Sequence, residues 1–191
     1  MKKNTIIESI RGVRFGTGMN QMMAAVSAIM ILLGTPSEAA QGRVPELPEM
    51  CETVNAPAGH RLRLQAYAYG VQIYVWSGSA WVFKGPEATL FADAGFRGQI
   101  GIHYGGPTWE ANDGSQVKAT LVEKCAPNPG AIPWLLLAAT HQQDHGVFSR
   151  ITYIQRVNTV GGTAPAEAGT LVGDEARVPY TAQYFFYTAA K

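Results

Sequence analysis

The segment Gly101 to Ser115 (GIHYGGPTWEANDGS) concentrates side chains that can do chemistry: His103, Tyr104, Trp109, Glu110, Asn112 and Asp113. An imidazole and two carboxylates can exchange protons, and an indole can stack on a sugar ring while carboxylates bond its hydroxyls. Glycosidases that retain configuration hold their two carboxyl groups about 5 to 5.5 Å apart, inverting ones about 6.5 to 9.5 Å. A sequence fixes no such distance. Structural roles compete for the same residues, because Asp113-Gly114 is a turn in which the carboxylate bonds its own backbone, and a Trp such as Trp109 commonly fills a core. His103, Tyr104, Trp109, Glu110 and Asp113 therefore stand as ligand-binding candidates. Hydrolysis by His103 with Glu110 or Asp113 is the alternative.

Other motifs carry less. His141, Asp144 and His145 (HQQDH) would place two imidazoles on one helical face at i, i+4, yet no third ligand is specified, and the Glu that makes HExxH catalytic is missing. A solvated loop is the simpler expectation, so no metal is assigned. A GxSxG elbow does not occur, and neither cysteine carries the local signature of a thiol enzyme. The four Trp and eight Tyr residues could line a glycan platform, although most aromatics of a small β domain are buried. Glu87 and Arg177 are expected to form a buried or half-buried ion pair.

These groups must be positioned by a chain of 191 residues, 47% hydrophobic and 15% charged, with a net charge of +1. That length allows one domain. Near-neutral charge without a basic block removes the term that dominates nucleic-acid affinity, so nucleic acid is not an expected partner. Lys2, Lys3, Arg11 and Arg14 precede an apolar run, Met22 to Gly34, which ends before Ser37 and Ala39. This order reads as a secretory signal peptide over residues 1–39, cut before Ala40. The run is shorter than the roughly 20 residues of a spanning helix, so no permanent membrane anchor is expected. Cleavage leaves 152 residues with eleven basic and twelve acidic groups, a net charge of −1, in the periplasm or the medium. In an oxidising compartment Cys51 and Cys125 are candidates for a disulfide, with two separate buried thiols as the other reading.

Beyond a Pro-punctuated leader, residues 40–58, the pattern becomes one of short strands. Leu62, Leu64, Ala66 and Ala68 alternate with polar residues, and β-branched or aromatic runs begin at Val71, Trp81, Ala88, Gln99, Gln116, Trp134, Ile151 and Val178. In the last run Tyr180, Ala182, Tyr184 and Phe186 share one face while Phe185 and Tyr187 share the other, as in a central strand. The spacing predicts an all-β domain over residues 59–191, a single antiparallel sandwich or barrel of about nine or ten strands. A long loop runs from Thr159 to Ala176, as a lid or a surface connection.

Six stretches, GVQIY, FKGPEATLF, GIHYGGPTWEANDGS, AIPWLLL, ITYIQRVNTVGGTAP and RVPYTAQYFFY, occur in one order between Gly70 and Tyr187. Together they resemble the exported bacterial and fungal family called domain of unknown function 3455. The resemblance implies a secreted, mostly β domain without an established activity. Relatives sometimes carry a dehydrogenase label, but Gly95, Gly98 and Gly101 lie between short strands and open no helix to hold a pyrophosphate, so no cofactor is expected. The family often has one Cys after the QIY stretch and another in the late loop. Here Trp76 and Thr170 hold those places. The leading expectation is a non-catalytic binding or structural protein of the envelope or medium, with a glycan or a protein as ligand.

Overall fold

The structure, a computed structural model, describes residues 43–142 and 145–191, and for residues 141 and 142 it describes the backbone alone. The expected signal peptide and residues 40–42 of the leader lie outside the described residues. Eight antiparallel strands close into a barrel: β1 (His60–Trp76), β2 (Trp81–Phe91), β3 (Gln99–Tyr104), β4 (Thr108–Ala111), β5 (Gln116–Cys125), β6 (Trp134–Gln142), β7 (Tyr153–Gly161) and β8 (Glu175–Ala189). Each strand pairs with the next, and β8 returns to pair with β1. Closure removes the sheet edges at which another chain could add.

The nine runs legible in the sequence become eight strands for local reasons. Gly70 does not end β1, since its lack of a Cβ lets β2 approach closely: a Cβ there would strike the Glu87 carbonyl oxygen and the Ala88 Cα. The runs at Trp81 and Ala88 form one strand, with an extra residue at Lys84 that bulges the chain between the pairs Ile73↔Gly85 and Tyr74↔Phe83. Pro86 is tolerated within the strand because the β2–β3 pairing begins only at Glu87↔Tyr104, so Pro86 has no partner on that side. Thr108–Ala111, inside what reads as a loop, supplies the remaining strand.

One face of every strand fills the interior, where Ala66, Ala68, Ala88, Ala111, Ala119 and Ala182 leave room for Leu90, Trp109, Tyr184 and Phe186. Small residues opposite large ones suit the narrow lumen of an eight-stranded barrel, which is either filled by side chains or holds one small ligand. Leu62 departs from the simple alternation. β1 carries an extra residue at Arg63 between the pairs Leu62↔Tyr187 and Leu64↔Phe186, so Leu64 packs inside while Leu62 joins Phe185, Tyr187 and Val157 on the outer face.

The outer apolar face explains why β6 and β8 are hydrophobic on both sides. Residues 43–58 lie across it, with a short 3-10 helix, Glu49–Val54, whose Cys51 and Val54 pack against Leu136 and Trp134. Gln155 pins the helix by donating to the Val54 carbonyl at 2.7 Å, and it accepts from the Tyr187 hydroxyl at 2.9 Å. Cys51 and Cys125 form a disulfide with Cα atoms 5.4 Å apart. The leader is thus fastened to the last residue of β5.

The two ends of the barrel differ. At the end bearing the β4–β5 turn, Phe148 and Ile151 are fully buried, and the Phe148 ring lies 4.8 Å from that of Phe186. Asp113 accepts from the Ser115 and Val147 amides at 2.9 and 2.8 Å, and Ser115 Oγ accepts from the Phe148 amide at 3.1 Å. Gly146, at φ 88°, passes so close to Ser115 that any Cβ would collide with it. These contacts fasten a floor under the barrel. Past the opposite end, the long connection before β8 is anchored over the β1–β2 hairpin: Trp81 Nε1 donates to the Glu167 carbonyl at 2.8 Å, and Gly169 lies against the Trp76 ring.

Candidate ligand cavity

β3 and β4 form a hairpin that pairs His103 with Trp109 and Ile102 with Glu110. Strand alternation sends the first pair inward and the second outward. His103 and Trp109 are 3% and 1% exposed, and their rings are stacked with centroids 4.3 Å apart and planes 10° from parallel. Tyr184 meets both rings edge-on, at 5.3 and 5.6 Å. His103 Nδ1 lies 2.9 Å from the Thr108 carbonyl. A carbonyl can only accept, so Nδ1 carries the proton and Nε2 presents a lone pair. Burial drives the His103 pKa down to about 3, and the Arg156 charge adds to the shift against the opposing pull of the Thr108 carbonyl. The imidazole is neutral at ordinary pH.

Arg156 occupies an interior position of β7, between its neighbours Leu135 and Tyr184 in the register. It is 9% exposed. Its Nε and Nη2 donate to the Pro133 carbonyl at 3.2 and 2.8 Å, and among the described residues no carboxylate pairs with it. Beside it lies a cavity of about 180 Å³ lined by His103, Trp109, Tyr184, Arg156, Leu137 and Pro86. Phe83 and Leu121, about half exposed, form its rim. Among the described residues Trp109 Nε1 is buried there without a hydrogen-bond partner, while the Tyr184 hydroxyl lies beside the Arg156 guanidinium and the Tyr180 hydroxyl, and Tyr180 beside the Gln72 amide. Burial raises the pKa of both tyrosines, so each keeps its proton.

The remaining candidates from the Gly101–Ser115 segment are elsewhere. Glu110 is half-buried on the outer face, where one carboxylate oxygen accepts from the Tyr104 hydroxyl and from Gln116 Nε2, each at 2.9 Å. Asn112 caps the hairpin by donating to the Gln99 carbonyl at 2.7 Å. Asp113 belongs to the floor, and its hydrogen bonds from Ser115 and Val147 hold its carboxyl below the usual range. The structure therefore joins His103 to Trp109 and joins Tyr104 to Glu110. It does not bring His103 together with Glu110 or Asp113. His141 lies on β6, a strand, so the helical spacing that would align it with His145 does not exist, and Asp144 is outside the described residues. Among the described residues no cluster of three His, Cys, Asp or Glu could hold a metal ion. Glu87 and Arg177 do form an ion pair, in an exposed position on the outer face rather than a buried one.

Arg156 and Tyr184 are cavity residues that motif reading passes over, with Tyr180 and Gln72 beside them. Their signal was a polar group at an inward position of an alternating strand: in ITYIQRV, Ile154 and Arg156 share a face, and a charge on the face of Ile154 is out of place in a packed core.

No curated protein and no solved structure matches the chain. A family model described as "Protein of unknown function (DUF3455)" matches residues 57–188, nearly all of the barrel, and the chain belongs to that family.

Proposed function

We propose that this is an exported, non-catalytic binding protein that holds a small molecule in the open end of its barrel. The observation that carries the reading is the cavity itself, floored at the far end by Phe148 and furnished at this end with a buried indole N–H, Trp109 Nε1, that no described residue satisfies. An unsatisfied buried donor costs about 1–3 kcal/mol, so this one favours a ligand or bound water that restores the bond. The Cys51–Cys125 disulfide supports export, since such bonds persist outside the reducing cytosol. A glycan stacked on Trp109 from outside is disfavoured by the burial of that ring. Hydrolysis by His103 with a carboxylate is disfavoured by the outward course of Glu110.

Titration with neutral single-ring probes, benzyl alcohol and phenol, tests the reading through the NMR signal of the Trp109 indole N–H. The expected result is a saturable shift in the wild type that is lost in Leu137→Trp, which fills the cavity. Failure of both probes, and of benzoate, to move that signal would overturn it. Cleavage near Ala40 is checked separately, by the mass of protein recovered from outside the cytoplasm.

A further inference from the structure

The geometry points to a monocarboxylate as the ligand, with its carboxylate seated on Arg156 and a single ring or short branched chain lying among Phe83, Leu121 and Leu137. This rests on the reading of the barrel mouth as a small-molecule site and names the class of molecule it takes.

Three observations converge on it. First, Arg156 is nine-tenths buried, and its partners are neutral: the Pro133 carbonyl and the Tyr184 hydroxyl. Holding an ion in a low-dielectric interior costs several kcal/mol unless an opposite charge accompanies it, and no carboxylate of the described residues does so. A purely structural post bonding the Pro133 carbonyl could be neutral. Second, the groups beside the guanidinium can donate: Trp109 Nε1, which has no partner among the described residues, and the Tyr184 hydroxyl, which keeps its proton. An indole N–H and a guanidinium cannot accept at all, so the inner end of the cavity is complementary to an acceptor that carries negative charge. Third, the size is restrictive. A cavity of about 150 Å³ holds benzene, and the roughly 180 Å³ here admits one ring with a carboxylate at its inner end.

One cation matches one negative charge, and the planar fork of a guanidinium fits the two oxygens of a carboxylate in a bidentate pair. A phosphate dianion would bring a second charge with no cation to meet it. The walls toward the rim are apolar, so the body of the ligand must be apolar too, and exposed Phe83 and Leu121 leave room for a tail to protrude.

The test is a titration of the wild-type protein with benzoate, benzyl alcohol and inorganic phosphate at neutral pH, read at the Trp109 indole and Arg156 Nε–H signals. Benzoate is expected to bind at least about tenfold more tightly than benzyl alcohol, as a charge-assisted pair does relative to a neutral one, and phosphate is expected not to displace it. In Arg156→Gln the preference for benzoate should collapse, while Arg156→Lys should keep part of it. Equal affinity for benzoate and benzyl alcohol, displacement by phosphate, or a preference that survives in Arg156→Gln would each overturn the assignment. Binding of benzyl alcohol alone would remove the carboxylate and leave the small-molecule reading standing. Binding of neither would remove both. The wild-type comparison decides by itself, so a folding defect in Arg156→Gln does not blunt the test.

Discussion

His103 and Trp109 face each other across the β3–β4 pair as stacked rings 4.3 Å apart, deep enough that the imidazole stays neutral down to about pH 3. In the unfolded chain the same histidine takes up a proton near pH 6.5. Between those values the unfolded state holds more protons than the folded one, so stability is complete above about pH 6.5 and is lost as the pH falls toward 3. The groups facing the ring, Trp109, Tyr184 and Arg156, include no carboxylate that would counter this. His103→Phe removes the histidine's share of the slope. Urea unfolding at pH 7.5 and 4.5 should show the wild type losing roughly 2–3 kcal/mol more than the variant over that interval.

The disulfide closes a loop with a sequence separation of 74 residues. Chain-entropy arguments give such a cross-link about 4 kcal/mol, and removal of a native disulfide from a small domain typically costs about 2–5 kcal/mol. Cys51→Ser with Cys125→Ser should lower stability by that amount. Hydrogen exchange should quicken first at Val54 and along the outer face of β6, where the leader comes loose, while the cavity at the other face of the sheet keeps its ligand response.

Asp113→Ala removes the acceptor for the Val147 amide and for Ser115, and so unfastens the floor. A modest loss of stability is expected, because the exposed Val147 amide can turn to water, along with faster exchange of the Val147 and Phe148 amides. Because these bonds hold the Asp113 pKa below its ordinary value, their contribution is present above about pH 4 and disappears as the pH falls through the lowered pKa. Phe148→Ala should cost more, about 3–5 kcal/mol, as a fully buried ring is exchanged for a void.

Glu87→Gln should change stability by less than about 1 kcal/mol, because Glu87 and Arg177 are 57% and 47% exposed and solvent screens them. Thermal melts of the variant at low and high salt would check this. A larger loss would mean that the pair holds β2 and β8 in a way their exposure does not suggest.

The sequence made the strands legible wherever one face meets the core and the other meets water, as at Arg61 to Tyr69 and Gln116 to Ala119. The two-sided apolarity of WLLLAAT and AQYFFY pointed to buried strands, but what covers their outer face was hidden, since nothing in a Pro-punctuated leader says where it packs. Leu62 was misplaced because a bulge at Arg63 has no composition of its own. In the site, His103 and Trp109 were visible as residue types, and their union follows from cross-strand pairing around Gly105–Pro107. Glu110 and Asp113 were visible for the same reason and belong elsewhere, because alternation turns one outward and a turn claims the other. Arg156 was hidden by distance along the chain: closing the barrel is what carries β7 and β8 to the wall beside β3 and β4.

The floor held by Asp113 and Ser115 makes the barrel a cup rather than a pipe. If the proposed site is filled, and the described residues leave one opening, a guest would arrive and depart through the same gap between Phe83 and Leu121. By microscopic reversibility, a rim substitution that obstructs passage without touching the seated guest must slow capture and escape by the same factor. Residence time then becomes adjustable at the lip while affinity remains set at the bottom of the vessel.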